Sequence, residues 1–293
     1  MTASGRAHPF GRVGVWVGRR TPPDEQIAIA QAAHGQGYGA VWLSGGLVPG
    51  IFDDLERILY ASGNLPVGSS VLNIWTESAG DCAAHFDRLE QLHPGRLFLG
   101  LGVSHAPAIA QTDYGTYEKP LAKMSRYLDN LAAATVPIPV DRLMIGALGP
   151  KMLQMARERT RGSVPYLVAT DHPSAAREAL GPDAVLAPEL TVAVDDDLQV
   201  ARAAARAHLS TYLGLPNYTN NFARFGFGPE HLDGGGSDAL LDAVYGIGSP
   251  VRVAERITAH LEAGADHVAV QIAPIPGQSQ AEAFARLAPA IRM

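Results

Sequence analysis

The chain is poor in several residue types whose scarcity is informative. It has one cysteine in 293 residues, Cys82, so no intrachain disulfide can form, and a reducing, cytoplasmic setting is expected. The flanking sequence SAGDCAAHFDRLEQL has the spacing of an amphipathic helix, so Cys82 reads as a buried, inert thiol rather than a nucleophile. Only three of the 23 basic residues are lysine (Lys119, Lys123 and Lys151), charged residues make up 18% of the chain, and the formal net charge is −6. That balance excludes a general affinity for nucleic acid or an anionic membrane surface. No apolar run approaches the roughly 18 residues of a membrane span, and the opening MTASGRAHPF has no apolar core for a signal sequence. His-x-x-x-His, Cys-x-x-Cys, Gly-x-Ser-x-Gly and Walker-type spacings are all missing. Metal, hydrolase and phosphotransferase chemistry therefore have no positive support, and a bound organic cofactor becomes the better expectation.

What the chain does have is alternation. Apolar, strand-like runs at 12–18, 39–46, 65–75, 96–102, 141–148, 163–169, 183–194 and 266–273 alternate with helical patterns at 24–37, 53–63, 78–92, 119–133, 150–160, 173–180, 195–213 and 249–264. Continuously apolar strands separated by amphipathic helices indicate a parallel sheet covered on both faces. At this length the pattern predicts an α/β fold of the (β/α)8 TIM-barrel type, a single domain over 1–293. An open doubly wound sheet is the alternative. Residues 214–248, including LPNYTNNFARFGFGPEHLDGGGSD, break the repeat and are expected to form an irregular insertion near the C-terminal end, either a lid or a surface decoration.

In a parallel barrel the strand C-termini open onto the active-site face, so strand-end polar residues are the candidates. Trp16, Ser44, Asn73, Ser104, His105, Thr170, Asp171, His172, Glu189 and Gln271 qualify. Tyr38, Asp141, Asp266 and His267 open strands and read as structural. His172 reads as part of a helix cap, and Asp195 to Asp197 as a negative run at a helix start. In IGALGPKMLQMA a strand ends in glycines and Pro150 opens a helix whose free N–H groups can receive a phosphate, with Lys151 adjacent.

The segments GYGAVWLSGG, VGSSVLNI, HPGRLFLGLGVSHAP, GALGPKMLQMARERTRG and GSPVRVAERITAHLEAGADHVAVQI occur in an order that resembles the luciferase-like oxidoreductases, and more closely their coenzyme F420-dependent branch. The resemblance spans nearly the whole chain. It implies a luciferase-like barrel, a homodimer, and hydride transfer between deazaflavin and a small organic substrate. Flavin mononucleotide (FMN) monooxygenase chemistry and a cofactor-binding barrel without turnover are the alternatives. An F420-reducing or FMN-reducing partner enzyme is implied as well. By the same resemblance Ser70, Val71 and Leu72 would form a cis bond or bulge behind the ring, with Asn73, Gly102, Ser104 and Gly146 around it. Gly149, Pro150, Lys151 and Met152 would cradle the phosphate, with Lys123, Lys151 or Arg157 available to an acidic tail. Trp16, Trp75, Tyr218, Phe222 and Arg224 would face the substrate or form the lid, Asn220, Asn221 and Phe225 being further lid candidates. The branch's sugar-phosphate dehydrogenases carry a carboxylate where this chain has His105, and an Asp-His pair where it has Gly45 and Gly46. His105 is accordingly the expected proton donor or acceptor.

Overall fold

A computed structural model describes residues 8–291; the polar arm read at the start of the sequence lies largely outside them. In chain order the elements are β1 (Val13–Val17), α1 (Pro23–Gly35), β2 (Val41–Leu43), α2 (Ile51–Ala61), β3 (Val67–Asn73), α3 (Ala79–Leu92), β4 (Leu97–Gly102), α4 (Ala106–Ile109), α5 (Pro120–Ala132), β5 (Leu143–Ile145) and α6 (Pro150–Arg159). Then follow β6 (Gly162–Ser163), α7 (His172–Leu180), β7 (Val185–Leu186), β8 (Glu189–Val194), α8 (Leu198–Ser210), α9 (Pro216–Arg224), α10 (Asp238–Val244), β9 (Gly246–Gly248), α11 (Pro250–Glu262), β10 (Val268–Ile272) and α12 (Gln280–Leu287). Local chemistry explains several boundaries. Ser78 caps α3 by accepting from the Asp81 N–H at 3.1 Å, Asp197 caps α8 by accepting from Gln199 N–H at 2.8 Å, and Pro23, Pro120, Pro150, Pro216 and Pro250 each occupy a first-turn position.

The ten strands form one curled parallel sheet in the order β7-β6-β5-β4-β3-β2-β1-β10-β8-β9. The segment from β7 to β8 is bonded on both sides. Ala187 and Glu189 donate to the carbonyls of Ser163 and Pro165, while the carbonyls of Leu186 and Pro188 accept from Asp266 and Ala269 N–H, all at 2.8–2.9 Å. Pro188 has no N–H and divides what the sequence pattern reads as one seventh strand into two.

Two large rings fill the sheet's concave side. A Cβ on Gly68 would lie 2.4 Å from the Trp42 ring, and one on Gly14 would lie 2.8 Å from His267 Nε2, so both glycines are needed to admit them. Trp42 Nε1–H donates to His267 Nε2 at 2.9 Å and His267 Nδ1 sits 2.9 Å from the Gly11 carbonyl; burial holds the imidazole down at about 4, hence neutral. His267 is thus a packed structural residue, in line with its place at a strand start. Tyr38 is likewise buried, its hydroxyl donating to the Phe284 carbonyl at 3.0 Å, and Asp266 pairs with Arg177 at 2.7 Å. Cys82 is fully buried and its thiol is pushed up to about 12.

The tract 214–248 differs from the expected irregular insertion. It contains α9, α10 and β9. Asn, Thr and Pro in LPNYTNNFAR signal a loop, yet Tyr218, Asn221 and Phe222 are spaced to share one face, and burying that face overrides weak helix propensity. No helix among the described residues is long and apolar enough to cross a membrane.

Candidate active site

The loop after β4 begins at Gly102 and turns at Ser104, which has φ 59, a left-handed conformation uncommon for a residue other than glycine. The turn delivers His105 toward the strand C-termini. Its ring centroid lies 5.3 Å from that of Tyr218 on α9, Asn217 hydrogen-bonds the imidazole, and Nδ1 is buried without a partner. Burial lowers the His105 pKa, and the Asn217 hydrogen bond opposes that only in part. Trp75 ties the neighbouring loop to this one by donating Nε1–H to the Val103 carbonyl at 2.9 Å, and its ring stacks on Tyr117 at 5.8 Å with Lys123 Nζ 4.1 Å from its centroid.

Midway along β3 the Ser70–Val71 peptide bond is cis, where the pairing with β4 shifts register. The Val71 side chain stands between two strands that have no side chains there: a Cβ on Gly102 would fall 2.2 Å from Val71 Cγ2, and one on Gly146 would fall 3.0 Å from Cγ1. Val71 is therefore an apolar peg seated on two glycines. On the other side a Cβ at Gly45 would lie 1.9 Å from the Val71 carbonyl oxygen, whereas Gly46, at φ +99, has open space around it. Trp16 Nε1–H donates to the Ser70 carbonyl at 3.3 Å.

Beside the peg, Gly149 precedes α6 with no side chain capping the helix, so the helix N-terminus carries its partial positive charge uncompensated. Arg224 reaches over it from α9: a Cβ on Gly149 would sit 3.0 Å from the Arg224 guanidinium. Between Arg224 and Tyr218, α9 buries Asn221 completely, and both its amide atoms lack partners. The arrangement joins an apolar peg, an orphaned amide and a cationic helix start along one end of the sheet.

The sequence model of the luciferase-like monooxygenases matches residues 9–267. The chain belongs to this family. Among its relatives is a protein of Mycobacterium tuberculosis (strain H37Rv) named as a coenzyme F420-dependent oxidoreductase, 23% identical over 250 residues and covering 69% of this chain and 71% of its own. Among solved structures, an F420-dependent secondary alcohol dehydrogenase in complex with an F420-acetone adduct superposes with a TM-score of 0.75 at 16% identity, covering 97% of this chain and 100% of its own. The coenzyme F420-dependent tetrahydromethanopterin reductase of Methanopyrus kandleri gives 0.77 at 14% identity (97% and 99%), and the oxygenating constituent of 3,6-diketocamphane monooxygenase from Pseudomonas putida, in complex with FMN, gives 0.68 at 16% (97% and 99%).

Within this luciferase-like chain, several expected site residues make contacts inside the protein. Asn73 is buried with its amide spent on the backbone: Nδ2 donates to the Gly46 carbonyl at 3.1 Å and Oδ1 accepts from Trp75 N–H at 3.0 Å, so it shapes loops instead of reaching inward. Phe222 is fully buried in the apolar cluster under α9. Tyr218 also points inward, 6% exposed, on the rings of His105 and Tyr212. Arg157 lies in the last turn of α6, the end away from Gly149, and Lys123 is engaged with Trp75 and Glu118. His172 caps nothing; its ring is buried, 3.4 Å from the Leu148 carbonyl, and Asp171 makes no capping bond. Ser104, Pro150, Lys151 and Met152 remain at the strand-end face, Lys151 exposed.

A second wall was missed apart from two of its members. Tyr166, three residues beyond β6, packs its ring 5.6 Å from Trp16 and 6.1 Å from Tyr218. Its hydroxyl lies 2.8 Å from Tyr212 Oη and 3.0 Å from Gln271 Oε1; Gln271 Nε2 is 3.2 Å from His208 Nε2, whose Nδ1 is 2.8 Å from Tyr245 Oη. Glu189 holds this wall: Oε2 accepts from the Leu167 N–H at 3.0 Å and Oε1 lies 2.5 Å from Thr191 Oγ1. Pro165, directly before Tyr166, was the available signal that the strand had already ended. A surface groove of about 680 Å³ lies along α8, where Arg202 and Arg206 are already paired with Asp238.

Proposed function

We propose that this chain is a coenzyme F420-dependent oxidoreductase that moves a hydride between the deazaflavin and a small organic substrate. The observation that carries the reading is the run of fittings along one end of the sheet. Val71 offers a flat apolar support, the buried Asn221 amide lacks the partners that a polyhydroxylated chain provides, and Gly149 with Arg224 and α6 offers an anion seat. Ser70, Val71, Leu72, Gly102, Ser104 and Gly146 would surround the ring. Gly149, Pro150, Lys151, Met152 and Arg224 would hold the phosphate. The named F420-dependent relative and neighbours support the same choice.

When bound, coenzyme F420 supplies a two-electron hydride acceptor or donor. The chain's own residues do the remainder. Trp16, Trp75 and Tyr218 wall the space and exclude water, while His105 handles the proton. In alcohol oxidation its bare Nδ1 accepts the hydroxyl proton as the hydride leaves carbon, giving a carbonyl product; in reduction the imidazolium returns it. Gly46, with open space around it and no side chain to handle a proton, leaves the role to His105. The reading includes a sheet closed as an eight-fold barrel through the doubly bonded β7 to β8 segment, a single domain over 1–293 with 214–248 as the substrate-facing segment, a cytoplasmic homodimer, and a partner enzyme that reduces the cofactor.

The test is a paired fluorescence titration of the purified apo-protein with coenzyme F420 and FMN at equal ionic strength. Preference for F420 is expected. Preference for FMN replaces the reading with an oxygen-using monooxygenase and an FMN-reducing partner, and binding of neither leaves a barrel without turnover.

A further inference from the structure

Tyr166 and His105 both pack on Tyr218, with ring centroids 6.1 and 5.3 Å away. Each adjoins a residue held in the left-handed region, Ser104 at φ 59 and Leu167 at φ 53. For a branched aliphatic such as leucine that conformation is costly and persists only where its surroundings enforce it. Here the enforcing group is Glu189, buried with no cation beside it, whose carboxyl takes the Leu167 N–H. A buried acid is an expensive way to hold a turn. What the turn secures is the direction of the preceding Tyr166.

The Tyr166 hydroxyl is one donor and two acceptor sites. With Gln271 Oε1 toward it, the hydroxyl donates to Gln271 and receives from Tyr212, leaving one acceptor site free. Gln271 Nε2 then donates to His208 Nε2, so His208 carries its proton on Nδ1 and passes it to Tyr245 Oη. Turning the amide by half a revolution exchanges donor and acceptor at Gln271 and along His208 to Tyr245, while Tyr212 still donates to Tyr166. Gln271 would then donate to Tyr166, freeing the phenolic proton, and His208 would carry its proton on Nε2. One arrangement accepts a hydrogen bond from an alcohol; the other gives one to a carbonyl oxygen.

We infer that Tyr166 is a second substrate-binding hydroxyl of the site, serving a neutral alcohol and carbonyl couple, and that Glu189, Gln271 and His208 are positioning residues that set the direction of its proton. The inference rests on the reading that this end of the sheet is the active site. It assigns the substrate class: the groups bonded to the Tyr166 hydroxyl are a phenol and an amide, both neutral, which matches it to a neutral oxygen.

The test uses the full chain with 15N-labelled histidine, with and without coenzyme F420, and three probes: cyclohexanol, cyclohexanone and lactate. NMR is expected to show His208 protonated on Nδ1 with cyclohexanol and on Nε2 with cyclohexanone, a coupling abolished in Gln271→Leu. Tyr166→Phe, which keeps the ring, is expected to weaken binding of both neutral probes about 3- to 10-fold, the size of one neutral hydrogen bond, with lactate binding weakly to either protein. One tautomer with both probes, unchanged binding to Tyr166→Phe, or lactate bound as tightly as cyclohexanol overturns the inference. Failure of F420 to bind while the tautomer still follows the probe would overturn the cofactor reading and leave this one standing.

Discussion

Replacing Glu189 by glutamine tests the second wall through stability. Glu189 is 1% exposed and burial raises its carboxyl to about 7, opposed only by its hydrogen bonds to Thr191 and Leu167. Unfolded, it titrates near ~4.3. The native chain thus keeps a proton that the unfolded chain loses across this window, so stability is full below about pH 4, declines as pH rises toward 7, and is level above. The difference amounts to about 4 kcal/mol at pH 8, at ~1.4 kcal/mol for each pH unit of displacement. A glutamine keeps an oxygen for the Leu167 N–H and an amide for Thr191 without the ionisation. Glu189→Gln should match the wild type near pH 4.5 and exceed it at pH 8 by roughly 8–16 °C in Tm, using ~2–4 °C per kcal/mol for a chain of this size. Calorimetry of both proteins at the two pH values checks this. A wild-type Tm with no decline attributable to Glu189, or a glutamine variant less stable at pH 8, would refute the account of a carboxyl buried without charge compensation.

Gly45→Ala should cost about 2 kcal/mol or more and abolish ring binding, because its Cβ would overlap the Val71 carbonyl; Gly46→His should cost about 1 kcal/mol for its positive φ and still fold, as denaturant melts would show. Arg224→Ala should raise the Kd for F420 about 10-fold or more, the scale of a charge-assisted hydrogen bond, and flatten its salt dependence in the same titration. His105→Ala should lower kcat about 100-fold with little change in F420 affinity. Because burial depresses the His105 pKa, alcohol oxidation by the wild type should hold its rate to more acidic pH than an ordinary imidazole with pKa ~6.5 allows.

The sequence made the alternation of strands and helices plain because long apolar runs and capped amphipathic segments are local signals. The place of His105 was legible for the same reason, since an apolar strand ending in glycine announces where its loop begins. α9 was not, because its helix is enforced from outside by burial of Tyr218, Asn221 and Phe222. β9, three residues with a glycine at each end, carries almost no strand signal and exists through its pairing with β8. Tyr166, Gln271 and His208 come from separate elements, and their hydrogen-bonded chain is a long-range fact that no local pattern encodes. Asn73 adds what its place on the strand did not show, since its amide bonds the backbone of neighbouring loops at Gly46 and Trp75.

Val71 and the two glycines beneath it have a consequence for how this protein can change. A larger peg needs room that strands β4 and β5 would have to surrender, and a side chain at position 102 would expel the present peg, so three strands must be altered in concert. Such a joint is held by mutual exclusion of volume, and single substitutions meet a penalty from either side. Substrate preference has an easier route through the face of α9, where one residue can be exchanged without disturbing a partner strand. Variation among descendants of this chain should therefore accumulate over the site and leave the support beneath the ring unchanged.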